Sequence, residues 1–132
     1  MPQPTFQPPF ASLLGIKITE VGPERVIAEL PVREELTNGR GILHGGAIMA
    51  LADNLGGTAT VANLVDGTAT TTIESKTNFF AALSIGDTAH AECTPLHRGR
   101  TTTVWQTRIT RKDGKLCAIV TQTQIVIPAA QS

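Results

Sequence analysis

From residue 45 to about residue 64 the chain reads GGAIMALADNLGGTATVANL, with no proline and with Ala, Leu, Ile and Met around most of the helical circumference. A helix that is apolar on nearly every side is a buried one, so the rest of the chain must wrap it. The small residues Ala47, Ala50, Ala52, Gly56, Gly57, Ala59 and Ala62 let a sheet close tightly on such a helix. Gly56 and Gly57 each cost roughly 1 kcal/mol of helix propensity relative to Ala, which predicts that a neighbouring element approaches the backbone there. One charge interrupts the run: Asp53.

The material available for wrapping is strand-like. Residues 16–21 end at the turn signal Gly22-Pro23, and in residues 25–32 Val26, Ala28, Leu30 and Val32 alternate with mostly polar neighbours. A polar, Gly-containing loop over 34–43 leads into the helix. Four longer runs follow, over 68–80, 87–97, 101–112 and 115–127, and Ile119, Ile125 and Ile127 share one parity in the last. Asp113-Gly114 predicts a two-residue hairpin between the last two, while Gly99 and Gly86-Asp87 punctuate the other joints. Tight turns force neighbouring strands antiparallel. The economical fold is therefore α+β: an antiparallel β-sheet of about six strands wrapped around one long central helix. A length of 132 residues fits one domain spanning the whole chain, with residues 1–9, rich in Pro and Gln, as a loose N-terminal arm and 10–15 as a short helical turn. With strands on only one side of the helix, its other flank and the sheet edges invite a second copy, so a homodimer is expected.

Charge excludes some partners. Eleven basic and eleven acidic side chains cancel, which gives no electrostatic reason to expect nucleic acid or an anionic membrane surface. The opening MPQPTFQPPF has neither a basic n-region nor an apolar h-region, and no apolar run reaches the roughly 18–20 residues of a membrane span, so a cytoplasmic location is expected. Cys93 and Cys117 lie far apart in strand-like runs without metal-ligand spacing, and read as buried reduced thiols. No nucleotide-binding Gly-rich loop is present either. Neither a metal nor a cofactor is expected.

The chemistry concentrates between Asn38 and Asp53. Gly45 and Gly46 fall where a loop enters the helix, so their N–H groups belong to the unpaired set of a helix N-terminus, where the dipole adds partial positive charge. Such a place stabilises a carbonyl oxygen that gains negative charge, and the missing side chains let it come close. His44, just outside, can donate to or orient the same oxygen. Asp53 in mid-helix is costly unless paired or hydrated. Two readings stand side by side: it pairs with a buried Arg or caps a loop, or its desolvation marks a reactive carboxylate.

The pattern N-x5-H-G-G-x6-D at the head of a long apolar helix resembles the hotdog-fold acyl-CoA thioesterases of the phenylacetate-pathway and 4-hydroxybenzoyl-CoA type. Lys76 to Ala81 (KTNFFA) followed by Gly86-Asp87 resembles that family's strand and turn after the helix, and His97-Arg98-Gly99-Arg100-Thr101 its strand-turn segment near the CoA nucleotide. The resemblance covers roughly residues 12–127. It implies that the Gly45 N–H polarises the thioester carbonyl, that His44 and Asn38 help position it, and that Asp53 acts as general base on water or as nucleophile. It further implies substrate contacts at Gly46 and Thr58, and at Arg98, Gly99 and Arg100 for the CoA phosphates, and a site shared across a homodimer. A dimer of dimers, a homotetramer, is the expected assembly, with the dimer alone as the alternative. One position departs from the family: the Ser or Thr one turn after the acid is Gly57 here, with Thr58 or Asn54 as the substitutes to consider. A hotdog hydratase or dehydratase and a non-catalytic acyl-CoA-binding module are the alternatives. Among the remaining polar residues, His90 reads as a surface group, Glu74 and Lys76 as a surface pair, and Trp105 as core or interface.

Overall fold

The computed structural model describes residues 7–129. In chain order the elements are α1 (Pro9–Leu14), β1 (Lys17–Val21), β2 (Val26–Pro31), a 3-10 turn (Glu34–Leu36), α2 (Gly45–Val61), β3 (Thr68–Phe79), β4 (Thr88–Arg98), β5 (Thr102–Thr110) and β6 (Leu116–Pro128). All the strands form one six-stranded sheet in the order β1-β2-β4-β5-β6-β3, with every pair antiparallel. α2 crosses one face of it and touches β2 through β6. The predicted sheet around one central helix is what the chain forms. The core lies between the two layers, where Leu51, Ala52, Leu55 and Ala59 of α2 meet Val26, Ala28, Leu30, Ala89, Ala91, Trp105, Ile109 and Val120.

Several local expectations are revised. Most of the supposed loose arm, residues 1–6, lies outside the described residues. Its end is tied down: Pro9 opens α1, a favoured place for proline, and the Gln7 Nε2 donates to Ile16 O at 3.0 Å. α2 is not apolar all round. Its inward residues are fully buried, but Gly46, Met49 and Asp53 are exposed, and Ala50, Asn54, Gly57 and Thr58 are half-buried. The β5–β6 turn holds three residues rather than two, because Arg111 N donates to Lys115 O, Gly114 N donates to Arg111 O, and Gly114 takes a φ of 89°. That is a type I turn followed by a left-handed bulge residue. On β6 the buried parity belongs to Val120, Gln122 and Gln124, and the isoleucines lie on the opposite face.

A bulge at Ile73 shapes the strand nearest the site. Thr72 pairs with Gln124 and Glu74 with Thr123, so β3 carries one extra residue there. Since side chains alternate, the extra residue switches the parity. Thr70 and Thr72 face the helix before it, and Ser75 and Thr77 after it, while Glu74 and Lys76 are turned out to solvent. No ion pair joins Glu74 to Lys76 among the described residues.

Candidate active site

Four N–H groups at the start of α2 precede its i→i−4 ladder: that of His44 donates to Leu36 O at 2.8 Å, and those of Gly46 and Ala47 are answered from His44. His44 is the N-cap: its Nδ1 accepts from Gly46 N at 2.8 Å, and its carbonyl accepts from Ala47 N at 2.9 Å and Ile48 N at 3.3 Å. The Gly45 N–H alone finds no acceptor among the described residues. No acidic side chain occupies this first turn, so the partial positive charge of the helix end is not neutralised. Because Nδ1 accepts, the neutral imidazole carries its proton on Nε2, a second donor at the same end of the helix. Gly46 therefore differs from expectation: its N–H is taken by the cap, and a Cβ there would sit 3.0 Å from His44 Nδ1. Asn38 lies in a loop closed by the Thr37–Leu43 bridge. Its Oδ1 accepts from Arg40 N at 2.9 Å, which leaves the amide N–H groups as its outward offer. A cleft of about 360 Å³ opens beside Gly45 between Ile42, Phe79 and Phe80, and a Cβ on Gly45 would meet the Phe79 ring at 3.2 Å.

Asp53 is exposed within the chain, which corrects the expectation of a desolvated carboxylate. Nor does it pair with an arginine. Its Oδ1 accepts from Thr72 Oγ1 at 2.7 Å and from Gln122 Nε2 at 2.9 Å, while Oδ2 has no donor among the described residues. Two clefts meet at Asp53. One of about 530 Å³ runs along Asn54, Gly57, Thr58 and Thr70–Thr72, and one of about 160 Å³ lies under α1 between Phe10, Leu14, Ile16 and Ala50. Thr58 lines the larger, but its hydroxyl donates to Asn54 O at 2.7 Å, back along its own helix. Gly57 meets open space, with no atom within 4 Å of an added Cβ.

The arginine turn lies at the other end of α2. Arg98, Gly99 and Arg100 share a cleft of about 530 Å³ with Thr60, Asn63 and Val126. Arg98 is engaged there, donating to Pro23 O at 3.1 Å and pairing with Glu24 at 3.0 Å, while Arg100 forms no ion pair among the described residues. Gly99 is needed for space, since a Cβ would sit 2.6 Å from His97 Nε2 and 2.9 Å from Thr102 O. His90 is exposed, and Trp105 is fully buried with its Nε1 donating to Thr60 Oγ1 at 2.9 Å. Both cysteines are buried and unpaired. Among the described residues no cluster of His, Cys, Asp and Glu could hold a metal, and no helix is long and apolar enough to cross a membrane.

Comparison with known proteins decides between the readings left open. Residues 40–118, which include the His44–Asp53 segment, match the thioesterase superfamily. The proofreading thioesterase EntH of Cronobacter turicensis is 35% identical over 104 residues, covering 79% of this chain and 75% of that protein. A thioesterase of Haemophilus influenzae superposes with a TM-score of 0.86 at 31% identity, over 92% of this chain and 85% of that one. The chain belongs to the thioesterase superfamily. It has the hotdog fold, and it is a thioester hydrolase rather than a hydratase, a dehydratase or a passive binding module. A Streptococcus mutans protein solved bound to acetyl-CoA also shares the fold, with a TM-score of 0.80 and 26% identity over 88% of this chain and 91% of that one.

Sequence reasoning missed part of the candidate site. Phe79 beside Gly45, and Thr72, Gln122 and Gln124 beside Asp53, come from strands far along the chain. One signal was available: two glutamines on the parity of Val120, where an apolar face is expected.

Proposed function

We propose that this thioesterase hydrolyses an acyl-CoA to free acid and CoA, with the Gly45 N–H polarising the carbonyl and Asp53 supplying the carboxylate. The observation that carries the reading is the pairing inventory of α2 among the described residues: one N–H left without an acceptor in its first turn, and eight residues later a carboxylate with one oxygen held and one without a donor. As charge develops on the thioester oxygen, an N–H aimed at it in a site with no competing anion stabilises it. His44 Nε2 and the Asn38 amide add donors at the same end. Asp53 then either takes a proton from the water that attacks the carbonyl, CoA leaving as the thiol, or attacks the carbonyl itself, CoA leaving as the thiolate and water then hydrolysing the mixed anhydride to the free acid and the regenerated carboxylate. Asn54, which lines both clefts at Asp53, keeps amide donors unused and is the better substitute for the hydroxyl absent at Gly57. The acetyl-CoA carried by the Streptococcus mutans structure supports CoA as the thiol half of the substrate.

Asp53 lies eight residues beyond Gly45, about 12 Å along the helix at about 1.5 Å per residue. A carboxylate acts only within hydrogen-bond reach. Each site therefore combines Asp53 of one subunit with Gly45 of another, in a homodimer. Purified, chelator-treated protein should release CoA thiol from a panel of aryl- and alkyl-CoA esters, and Asp53→Asn should lower kcat by roughly 10²–10⁴ with little change in KM. Activity that disappears with the chelator and returns with a metal would defeat the mechanism. Near-normal turnover by Asp53→Asn would remove Asp53 from it.

A further inference from the structure

From the exposed Asp53 a polar network runs through the half-buried Thr70 and Thr72 to the buried face of β6. Gln122 and Gln124 are 1% and 2% exposed. Gln122 Nε2 carries two protons, and its two nearest acceptors are Gln124 Oε1 at 2.7 Å and Asp53 Oδ1 at 2.9 Å. Gln124 Nε2 donates to Thr70 Oγ1 at 3.1 Å, and Thr70 donates to the main-chain Ile125 O at 2.9 Å. The Thr72 hydroxyl has one proton for two close acceptors, Asp53 Oδ1 and Gln124 Oε1.

The orientation of both amides is fixed by this inventory, while the Thr72 proton is shared between its two acceptors. If the Gln124 amide turned over, its NH2 would face that of Gln122. If the Gln122 amide turned over, its oxygen would face the carboxylate. The arrangement carries a visible penalty. Gln122 Oε1 is buried with no partner among the described residues, and it presses on the backbone of α2 at Gly56, where any Cβ would collide with it. An apolar side chain at 122 would leave no such orphan. What only the amide provides is N–H groups aimed at Asp53.

We propose that Gln122 and Thr72, braced from behind by Gln124, are positioning residues that clamp Asp53 through Oδ1 and present Oδ2 to the thioester or its water. The proposal rests on the reading of Asp53 as the catalytic carboxylate. An exposed aspartate on a helix otherwise samples several rotamers, and a displacement of about 1 Å at a reacting atom can cost on the order of 10²-fold in rate. Thr72 and Gln124 also line the cleft at Asp53, so the split between kcat and KM separates positioning of the carboxylate from direct contact with substrate.

Steady-state kinetics on an acyl-CoA that the wild type cleaves tests this. Thr72→Val keeps the shape and β-propensity but removes the donor, and should lower kcat about tenfold with KM within about twofold. Thr72→Ser restores the hydroxyl and most of the rate, a rescue that a purely packing role would not show. Combined with Asp53→Asn, Thr72→Val should cause no further loss, since it acts only through that carboxylate. Gln124→Leu, with its fold verified by circular dichroism, should repeat the pattern; should it not fold, the Thr72 pair still decides. If Asp53→Asn is inactive while Thr72→Val keeps the wild-type kcat, or if the double variant falls by the product of the single effects, the positioning role is wrong and the reading of Asp53 survives. If Asp53→Asn keeps its turnover, both fall together.

Discussion

His44 has a separate task for each ring nitrogen. Nδ1 caps α2 through Gly46 N, and in the proposed mechanism Nε2–H serves the substrate carbonyl. The tasks separate by substitution. Asn at position 44 is a good N-cap, whereas Ala is not, and loss of a cap costs about 1 kcal/mol. His44→Asn should keep the melting temperature but lower kcat/KM about tenfold, less than the roughly 10²–10³ of a primary oxyanion donor. His44→Ala should lose both. Wild-type turnover by His44→Asn would reduce His44 to a cap. Cys93 makes a separate prediction. Burial pushes its thiol up to about 11, with the Thr107 hydroxyl offsetting only part of the effect. The folded protein thus holds a proton that the unfolded chain releases at about pH 8.5–9, so this contribution to stability is intact below pH 8. It declines as the pH rises through 11, by about 3 kcal/mol in all. The melting temperature should therefore fall more steeply between about pH 9 and 11 for the wild type than for Cys93→Ala, and equal slopes would refute the assignment.

At the scale of elements, the adjacent glycines of α2 should respond in opposite directions. Gly56 lies against the Gln122 amide, and a Cβ there would collide with it, whereas at Gly57 nothing lies within 4 Å. Gly56→Ala should destabilise by about 1–3 kcal/mol through overpacking, and Gly57→Ala should stabilise by about 0.5–1 kcal/mol through helix propensity. Urea midpoints at unchanged m-value measure both. Destabilisation by Gly57→Ala would mean that another surface packs on that residue in the assembly. The same pair shows what was legible in the sequence. A close approach to the glycines was readable from their cost to the helix, but not that a side chain 69 positions after Asp53 makes it, nor that only Gly56 feels it. Strands and helix were legible because their periods are local. The exposure of Asp53, the inward parity of Gln122 and Gln124, and the Ile73 bulge depend on which face of an element meets which neighbour, and no local period carries that information. The Asn38-to-Asp53 segment was legible for the opposite reason, since a helix start and a carboxylate two turns later are a single stretch of chain.

At the scale of the whole molecule, the proposed machinery is strung along α2: Gly45 at one end, Asp53 in the middle, and the Arg98–Arg100 turn past the far end, where Arg98 and Asn63 both donate to Pro23 O. One chain cannot bring its own Gly45 and Asp53 onto one thioester. Two copies of α2 packed antiparallel about a two-fold axis can, and the axis must then pass at the level of Met49, midway between the two residues. Met49 is 39% exposed in the single chain, and β3, twelve residues long, lies unpaired on one side at the sheet edge. Both are places where a partner copy would remove apolar or hydrogen-bonding surface from water. The consequence can be tested with two inactive variants. Asp53→Ala removes the carboxylate, and Gly45→Val blocks the carbonyl seat, where an added Cβ would sit 3.2 Å from the Phe79 ring. In a mixed dimer, one site inherits both defects and the other neither. Since random exchange makes half of the dimers mixed, equal amounts of the two should recover about a quarter of wild-type activity per subunit by the symmetry of the interface. The recovered activity should rise at the rate of subunit exchange, followed by energy transfer between labelled chains. Complete exchange with no recovery would mean that the two residues do not serve one site across the interface, and that each subunit brings a different donor to its own Asp53.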